Sequence, residues 1–297
     1  EVISTIEYDD NPSSLFIKDG KLAVFGEFND MDYFKKIDFF PQNGMTYFNI
    51  YDISDKEKPD LIKEYKFEGR YFNARMMDNH VYIVLRNQPE YRPRWPMPII
   101  VEDTVRSMPV SDIHYFNIPY NNPQLVTVHA IDIKDTEQEV DSAALTVEYG
   151  QNLYMSKENM YITYNEDINE YELRQDILKT LLEPYLSDSD KELIEKIKET
   201  DDEVLTQSEK KQKILQIHLA YLNYMDQDEK DKVEDEAEKI LKEKLEQYGY
   251  LEFTIINKLT IDEGKIEVKE NGKVPGHIIN QFSMDEHDGY FRIATTS

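Results

Sequence analysis

What constrains this chain most is a repeat. Four stretches of its 297 residues share one pattern: SLFIKDGKLAVFG (14–26), ARMMDNHVYIVLRN (74–87), LYMSKENMYITYN (153–165) and FSMDEHDGYFRIATT (282–296). Each is a short apolar run, a polar turn and a second run with alternating apolar residues, which is the pattern of a β-hairpin. Asp-Gly in the first and last copies supplies the positive φ that a tight hairpin turn needs. Asp78-Asn79 and Glu158-Asn159 hold the same place in the middle two.

A third alternating run follows in MTYFNIYDIS (45–54), LVTVHAIDIKD (125–135) and LEFTIINKLTID (251–262). LIKEYKF (61–67), ALTVEYG (144–150) and KIEVKEN (265–271) are candidates for a fourth strand. Four antiparallel strands repeated in one order is the sequence form of a β-propeller blade, and a ring takes about 4–8 of them. This chain supplies roughly three and a half blades, so it predicts a very small or incomplete ring. A β-sandwich is the rival, since it also uses short antiparallel strands. Recurrence of the same hairpin in the same order favours the propeller.

Between Tyr164 and Tyr250 the period changes to that of a helix. Ile177, Leu178, Leu181, Leu182, Tyr185 and Leu186 form one stripe, and Leu193, Ile194 and Ile197 a second. A third runs from Ile214 to Met225 and a fourth from Val233 to Tyr248. Boundary signals agree: Pro184 at a helix end, a Ser187-Asp188-Ser189 cap, Thr206 with Glu209 as a capping box, Asp226 with Glu229, and Gly249 as a stop. The expectation is a bundle of about four helices inserted within a blade. Its centre is expected to be the Ile214–Met225 helix, apolar on most sides, with Tyr221 and Tyr224 in or beside the core. Domains are expected at 1–166 (blades), 167–249 (helical insertion) and 250–297 (blade resumed).

Formal net charge is −26, from 60 acids and 34 bases. Nucleic-acid binding needs a basic footprint and is excluded as a partner class. Residues 166–247 hold 25 acids against 13 bases, a net of −12, which reads as a solvated face laced with i,i+4 pairs such as Glu192/Lys196. The absence of cysteine excludes disulfides, thiolate zinc and cysteine nucleophiles. No apolar run is long enough to span a membrane. Residues 1–20 lack a basic start followed by an apolar run, so no signal peptide is read there. The chain opens on Glu1 and stops after a strand-like run, so both ends read as cuts.

Asp285, Glu286, His287 and Asp288 are all competent metal ligands, with calcium the cation such a set would take. Their place between two alternating runs puts them at a hairpin tip, where successive side chains diverge. The tip reading is preferred, and no cofactor is expected otherwise. The six histidines show no HExxH spacing, and no phosphate-binding glycine loop or GxSxG elbow occurs. His218, on an apolar helix face, reads as a hydrogen-bonded core residue. The loop NQPEYRPRWPMPIIVED (87–103) holds four of the 12 prolines and the single tryptophan. There Tyr91, Arg92, Arg94 and Trp95 are the candidate partner-binding residues, since Trp and Arg dominate hot spots. A Trp tucked over a blade edge is the plainer alternative.

These same stretches carry a resemblance. VPG followed by NQFSMDE and GYFRIATT (274–296), NPSSLFIKDGKLAVFG (11–26), residues 46–84 and VTVHAIDI (126–133) resemble secreted proteins with a C-terminal β-propeller domain distantly related to WD repeats, found in archaea and bacteria. The resemblance covers residues 8–165 and 250–297, and the helical block departs from it in length. It implies an extracellular or cell-surface location and further blades beyond residue 297. It transfers no catalytic residue. The expected function is a binding or scaffolding module for a protein or cell-surface polymer, without catalysis. The alternative is a hydrolase or lyase using acidic residues in a propeller channel, with calcium assisting.

Overall fold

The computed structural model describes residues 2–8, 12–88, 97–118, 120, 122–149, 151–201 and 204–296. The strands follow the hairpin repeat. In the first sheet, β1 (Pro12–Lys18), β2 (Lys21–Phe28), β3 (Met45–Asp52) and β4 (Asp60–Glu68) lie side by side in chain order. The second sheet repeats this with β5 (Arg70–Met77), β6 (His80–Asn87), β10 (Gln124–Asp132) and β11 (Asp141–Val147). The third uses β12 (Asn152–Met155), β13 (Asn159–Asp167), β14 (Glu252–Asp262) and β15 (Lys265–Pro275). A fourth hairpin follows, β16 (Met284–His287) with β17 (Tyr290–Ile293).

Local chemistry explains the recurrence. Lys18 pairs with Lys21 across Asp19-Gly20, and His287 with Tyr290 across Asp288-Gly289. All four turn residues have positive φ, the geometry whose twist matches flanking strands. In the third copy Met155 pairs with Met160 and the Ser156 N–H donates to Asn159. The tip there is Lys157-Glu158, one residue earlier than the sequence suggests. The same backbone tie closes each complete sheet: Ile53 N–H to Gly20 O (2.8 Å), Ile133 to Asn79 (2.9 Å) and Ile261 to Glu158 (2.9 Å). Passage to the next sheet also repeats. Gly69 (φ 124°) separates β4 from β5, and Gly276 (φ 79°) follows β15. Each glycine carbonyl accepts from a buried threonine hydroxyl two positions back across the ladder, Thr46 (2.8 Å) and Thr254 (2.7 Å).

The sheets stack face to face in chain order. Along β6, Val81, Ile83 and Leu85 join a core with Phe25, Phe48, Ile50, Tyr65 and Phe67 of the first sheet. Tyr82 and Val84 join the other core, with Met160, Ile162, Tyr164, Ile255 and Leu259 of the third. A strand buried on both faces reads as a nearly continuous apolar run, as β6 does. A two-layer sandwich would leave each sheet one exposed face.

Two of the three complete sheets exceed the expected four strands. β7 (Ile99–Val101) and β8 (Val105–Ser107) extend the first beyond β4, and the short β9 (Ile113–His114) lies parallel to β11. A seven-residue helix, α1 (Met31–Ile37), is also absent from the sequence reading. Its Phe34 packs on Phe39, Met45, Ile99 and Val101.

Residues 1–166 with 253–297 form one unit and 167–252 another. The second unit contains α2 (Glu170–Leu182), α3 (Asp188–Glu199), α4 (Gln207–Tyr224) and α5 (Gln227–Gln247). Ser187, Thr206 and Asp226 cap α3, α4 and α5, and Thr206 with Glu209 completes a capping box. α5 ends through an extended Tyr248, and Gly249 lacks the positive φ of a glycine cap. Helix α4 is not the centre, contrary to the expectation. The core is built on α2, whose Ile177, Leu178 and Leu182 meet Leu222 of α4 and Val233, Ala237 and Leu241 of α5. Tyr224 is 90% exposed. His218 is buried, with Nδ1 2.8 Å from Ile214 O and Nε2 3.1 Å from Glu183.

Candidate functional site

Side chains on β3 alternate, so Thr46, Phe48 and Ile50 enter one face of the first sheet and Tyr47, Asn49 and Tyr51 the other. The first set joins the core shared with the second sheet or is fully buried beside it, and Tyr47 and Tyr51 cluster with Val24 on the opposite face. In the second sheet the corresponding face, carrying His129, packs on the first. In the first sheet that face is covered by the segment before β1, through Ile6 and Tyr8. Tyr8 stacks on Tyr47 at 5.5 Å between centroids and meets Tyr51 edge-on at 6.4 Å.

Beneath this segment lies a cavity of about 440 Å³. Cross-strand register builds its floor: Asn49 stands opposite Val24 on β2 and Glu64 on β4, and Tyr47 opposite Lys66. Asn49 is 8% exposed, and its Oδ1 makes no hydrogen bond. Lys66 is buried and donates from Nζ to Glu64 Oε1. The same ammonium lies 4.8 Å from the Phe28 ring centroid and 4.7 Å from that of Tyr33, both cation–π distances. Asp30 and Asp32 stand at the rim. Asp30 caps α1 by accepting from the N–H groups of Asp32 (2.9 Å) and Tyr33 (3.0 Å), while Asp32 pairs with Lys35 at 2.9 Å.

Burial pushes the Tyr8 phenol far above its ordinary value, and the neighbouring Tyr51 and Tyr47 add to the shift. Burial, then the Glu64 charge, raises Tyr33. Both are phenols, not phenolates, at neutral pH. The cavity is therefore lined by aromatic faces, the Asn49 amide and several carboxylates, of which Glu64 and Asp32 are paired with Lys66 and Lys35.

The sequence reading missed this site. One available signal was the alternation Tyr47-x-Asn49-x-Tyr51, which places an amide on the face of a strand that is otherwise aromatic. Tyr8 and Glu64 meet it only through tertiary pairing.

The Asp285–Asp288 group is dispersed. Only Asp288 lies in the turn, whereas Asp285 and Glu286 are adjacent strand residues on opposite faces. Asp285 pairs with Arg292, which holds its carboxyl below the usual range. Glu286 accepts from Asn159 Nδ2 (3.0 and 3.1 Å) and Tyr161 Oη (3.1 Å), and its N–H donates to Tyr154 Oη. Phe291 stacks on Tyr161 at 3.9 Å, so Glu286 fastens the last hairpin to the third sheet. His287 and Asp288 are exposed and 3.3 Å apart. Among the described residues no three His, Asp or Glu converge on a metal position. Tyr91, Arg92, Arg94 and Trp95 lie outside the described residues. In the helical unit a groove of about 1080 Å³ runs between α3 and α4, lined by Leu193, Ile197, Val204, Ile217 and Tyr224.

The family described as Beta propeller domain matches residues 1–297. An uncharacterized protein of Methanocaldococcus jannaschii is 30% identical over 251 residues, which cover 83% of this chain and 38% of that protein. An uncharacterized protein of Archaeoglobus fulgidus is 28% identical over 241 residues, 78% of this chain and 36% of that one. The chain thus spans less than two-fifths of either relative's length. No solved structure matches. No helix among the described residues is long and apolar enough to cross a membrane.

Proposed function

This chain belongs to the β-propeller domain family, and on that premise we propose that it is a binding or scaffolding module without catalysis, outside the cell or on its surface, whose partner is a protein or a cell-surface polymer. The location rests on the sequence resemblance, and the partner class on the blade repeat. The observation that carries the binding role is the cavity of about 440 Å³ beneath the segment before β1, lined by Tyr8, Tyr47, Asn49, Tyr51, Glu64 and Lys66. Tyr8 and Tyr51 add rigid aromatic surface of the kind that recognition sites use. The hydrolase or lyase alternative is favoured by neither the geometry nor the comparisons.

Immobilised wild-type chain and Asn49→Leu, probed with purified envelope polysaccharide and with peptides from surface proteins, test the reading. Retention on wild type that is lost on the variant is expected. Equal retention by both, or none by either, removes the pocket as the binding site.

A further inference from the structure

We infer that the groove between α3 and α4 is the face through which two copies of this chain associate. The first argument is spacing. On α4, Leu219, Leu222 and Met225 join the core around α2. A second stripe, Lys213, Ile217, Ala220 and Tyr224, recurs at steps of four, three and four and lines the groove. On α3, Asp190, Leu193, Ile197 and Thr200 recur at steps of three, four and three and line its other wall. Alternating steps of three and four form the seam of a coiled coil, which packs on a facing helix. One α4 stripe is used on the core and the other meets water, with Tyr224 90% and Leu193 45% exposed. A helix that is apolar on most sides is a helix covered on most sides, so the second stripe calls for a cover.

The groove is held ready at both ends. At one, the Tyr221 hydroxyl donates to Asp190 Oδ2 and accepts from the Ser187 N–H (2.9 Å). Ser187 Oγ also donates to Oδ2 (2.7 Å), which leaves Oδ1 to take a cation. At the other end Lys210 Nζ donates to Lys198 O (3.3 Å). Asp190 therefore lies at the Tyr224 end and Lys213 toward the opposite one. Charge then selects the occupant. A two-fold axis across the groove sets α4 antiparallel to its copy. Lys213 of each copy then meets Asp190 and the Tyr224 ring of the other, and Ile217 faces Ala220, whose small side chain admits close approach. Two α3–α4 pairs so arranged make a four-helix bundle. A basic helix from another protein would set its charge against Lys213, and an acidic one would meet the net −12 of residues 166–247. The seam from Lys213 to Tyr224 is only about 16 Å long, and each copy carries −26. Association is therefore weak, with a Kd on the order of 10 µM, and the chain is a monomer at about 1 µM and below.

Sedimentation velocity of the whole chain, from about 1 to about 100 µM in about 150 mM NaCl, tests this. Wild type is expected to pass from 35.2 kDa toward twice that mass across the range. Ile217→Glu, at a position outside the α2 core, is expected to stay monomeric throughout. Lys213→Glu, which sets a carboxylate against Asp190, is expected to weaken association at least about tenfold. Circular dichroism checks that both variants fold. A wild-type mass that never rises, or a dimer that either variant leaves equally tight, overturns the inference. A monomer whose Ile217 and Ala220 signals shift on adding an amphipathic helical peptide assigns the groove to a foreign helix and overturns it too. Should either variant fail to fold, cross-linking decides. The chain has no cysteine, so Ala220→Cys with a short bismaleimide is expected to give a covalent dimer. Glu238→Cys, at an exposed position on α5, is expected to give none. Equal yields from the two, or no dimer from Ala220→Cys, refute the inference.

Discussion

His129 lies 1% exposed in β10, with Nδ1 2.8 Å from Ser142 Oγ, Nε2 3.2 Å from Thr127 Oγ1 and its ring stacked 4.4 Å from Phe67. Burial first, and then the charge of Arg106, lowers its pKa to about 3. An unfolded histidine titrates near about 6.5. Between those values the unfolded chain binds a proton that the folded chain refuses, so stability falls as pH falls. The slope is about 1.4 kcal/mol per pH unit, or about 2 kcal/mol by about pH 5. Urea titrations at about pH 7 and about pH 5 should show wild type losing about 2 kcal/mol more than His129→Gln. Equal losses would mean that the folded site accepts the proton. Asn49 holds the equivalent place on β3, counted from the shared Ile53 and Ile133 ties. One position carries a fully partnered ring in the second sheet and an amide with an unmet oxygen in the first. The difference comes from what covers each face.

At the scale of the element, α4 shows how apolar periodicity can mislead. Its residues from Ile214 to Met225 are apolar on several sides, yet among the described residues only Lys210, His218 and Leu222 are buried. Ile217, Tyr221 and Tyr224 line the groove beside α3. An α2-centred core predicts unequal costs for two neighbouring truncations. Leu222→Ala, which opens a cavity against α2 and α5, should cost about 2–5 kcal/mol. Tyr224→Ser, on a side chain already in water, should stay within about 0.5 kcal/mol of wild type. Far-ultraviolet circular dichroism in urea reads both. A large loss at Tyr224 would return α4 to the centre. The strands were more legible than the helical faces. Period two, a two-residue turn and a third run ending in Asp identify β1 to β3 and β5, β6 and β10 directly, because strand alternation and turn chemistry are local. The caps Ser187, Thr206 and Asp226 were equally legible, for the same reason. Helix α1 was not, because a seven-residue helix depends on Phe34 packing against β7, far along the chain.

Over the whole molecule, charge is the property with a direct physical consequence. A net charge of −26 sets like charges against one another, while many of its ion pairs, such as Lys265–Asp141 and Lys198–Glu195, are exposed and individually weak. Raising NaCl from about 20 to about 200 mM shortens the screening length from about 20 Å to about 7 Å. The thermal midpoint should therefore rise, and a fall would show that attractive pairs dominate instead. Sequence alone determined the order of hairpins, the place of the helical insertion and the starts of α3, α4 and α5, since each rests on residues within a few positions of one another. Tertiary structure alone decided which helix is central, where β7 to β9 attach and that Glu286 fastens a hairpin. It also decided that Tyr8, Asn49, Glu64 and Lys66 share one cavity. Those outcomes depend on which faces meet across tens of residues, and an alternating pattern states that a strand has two faces without stating what each will touch.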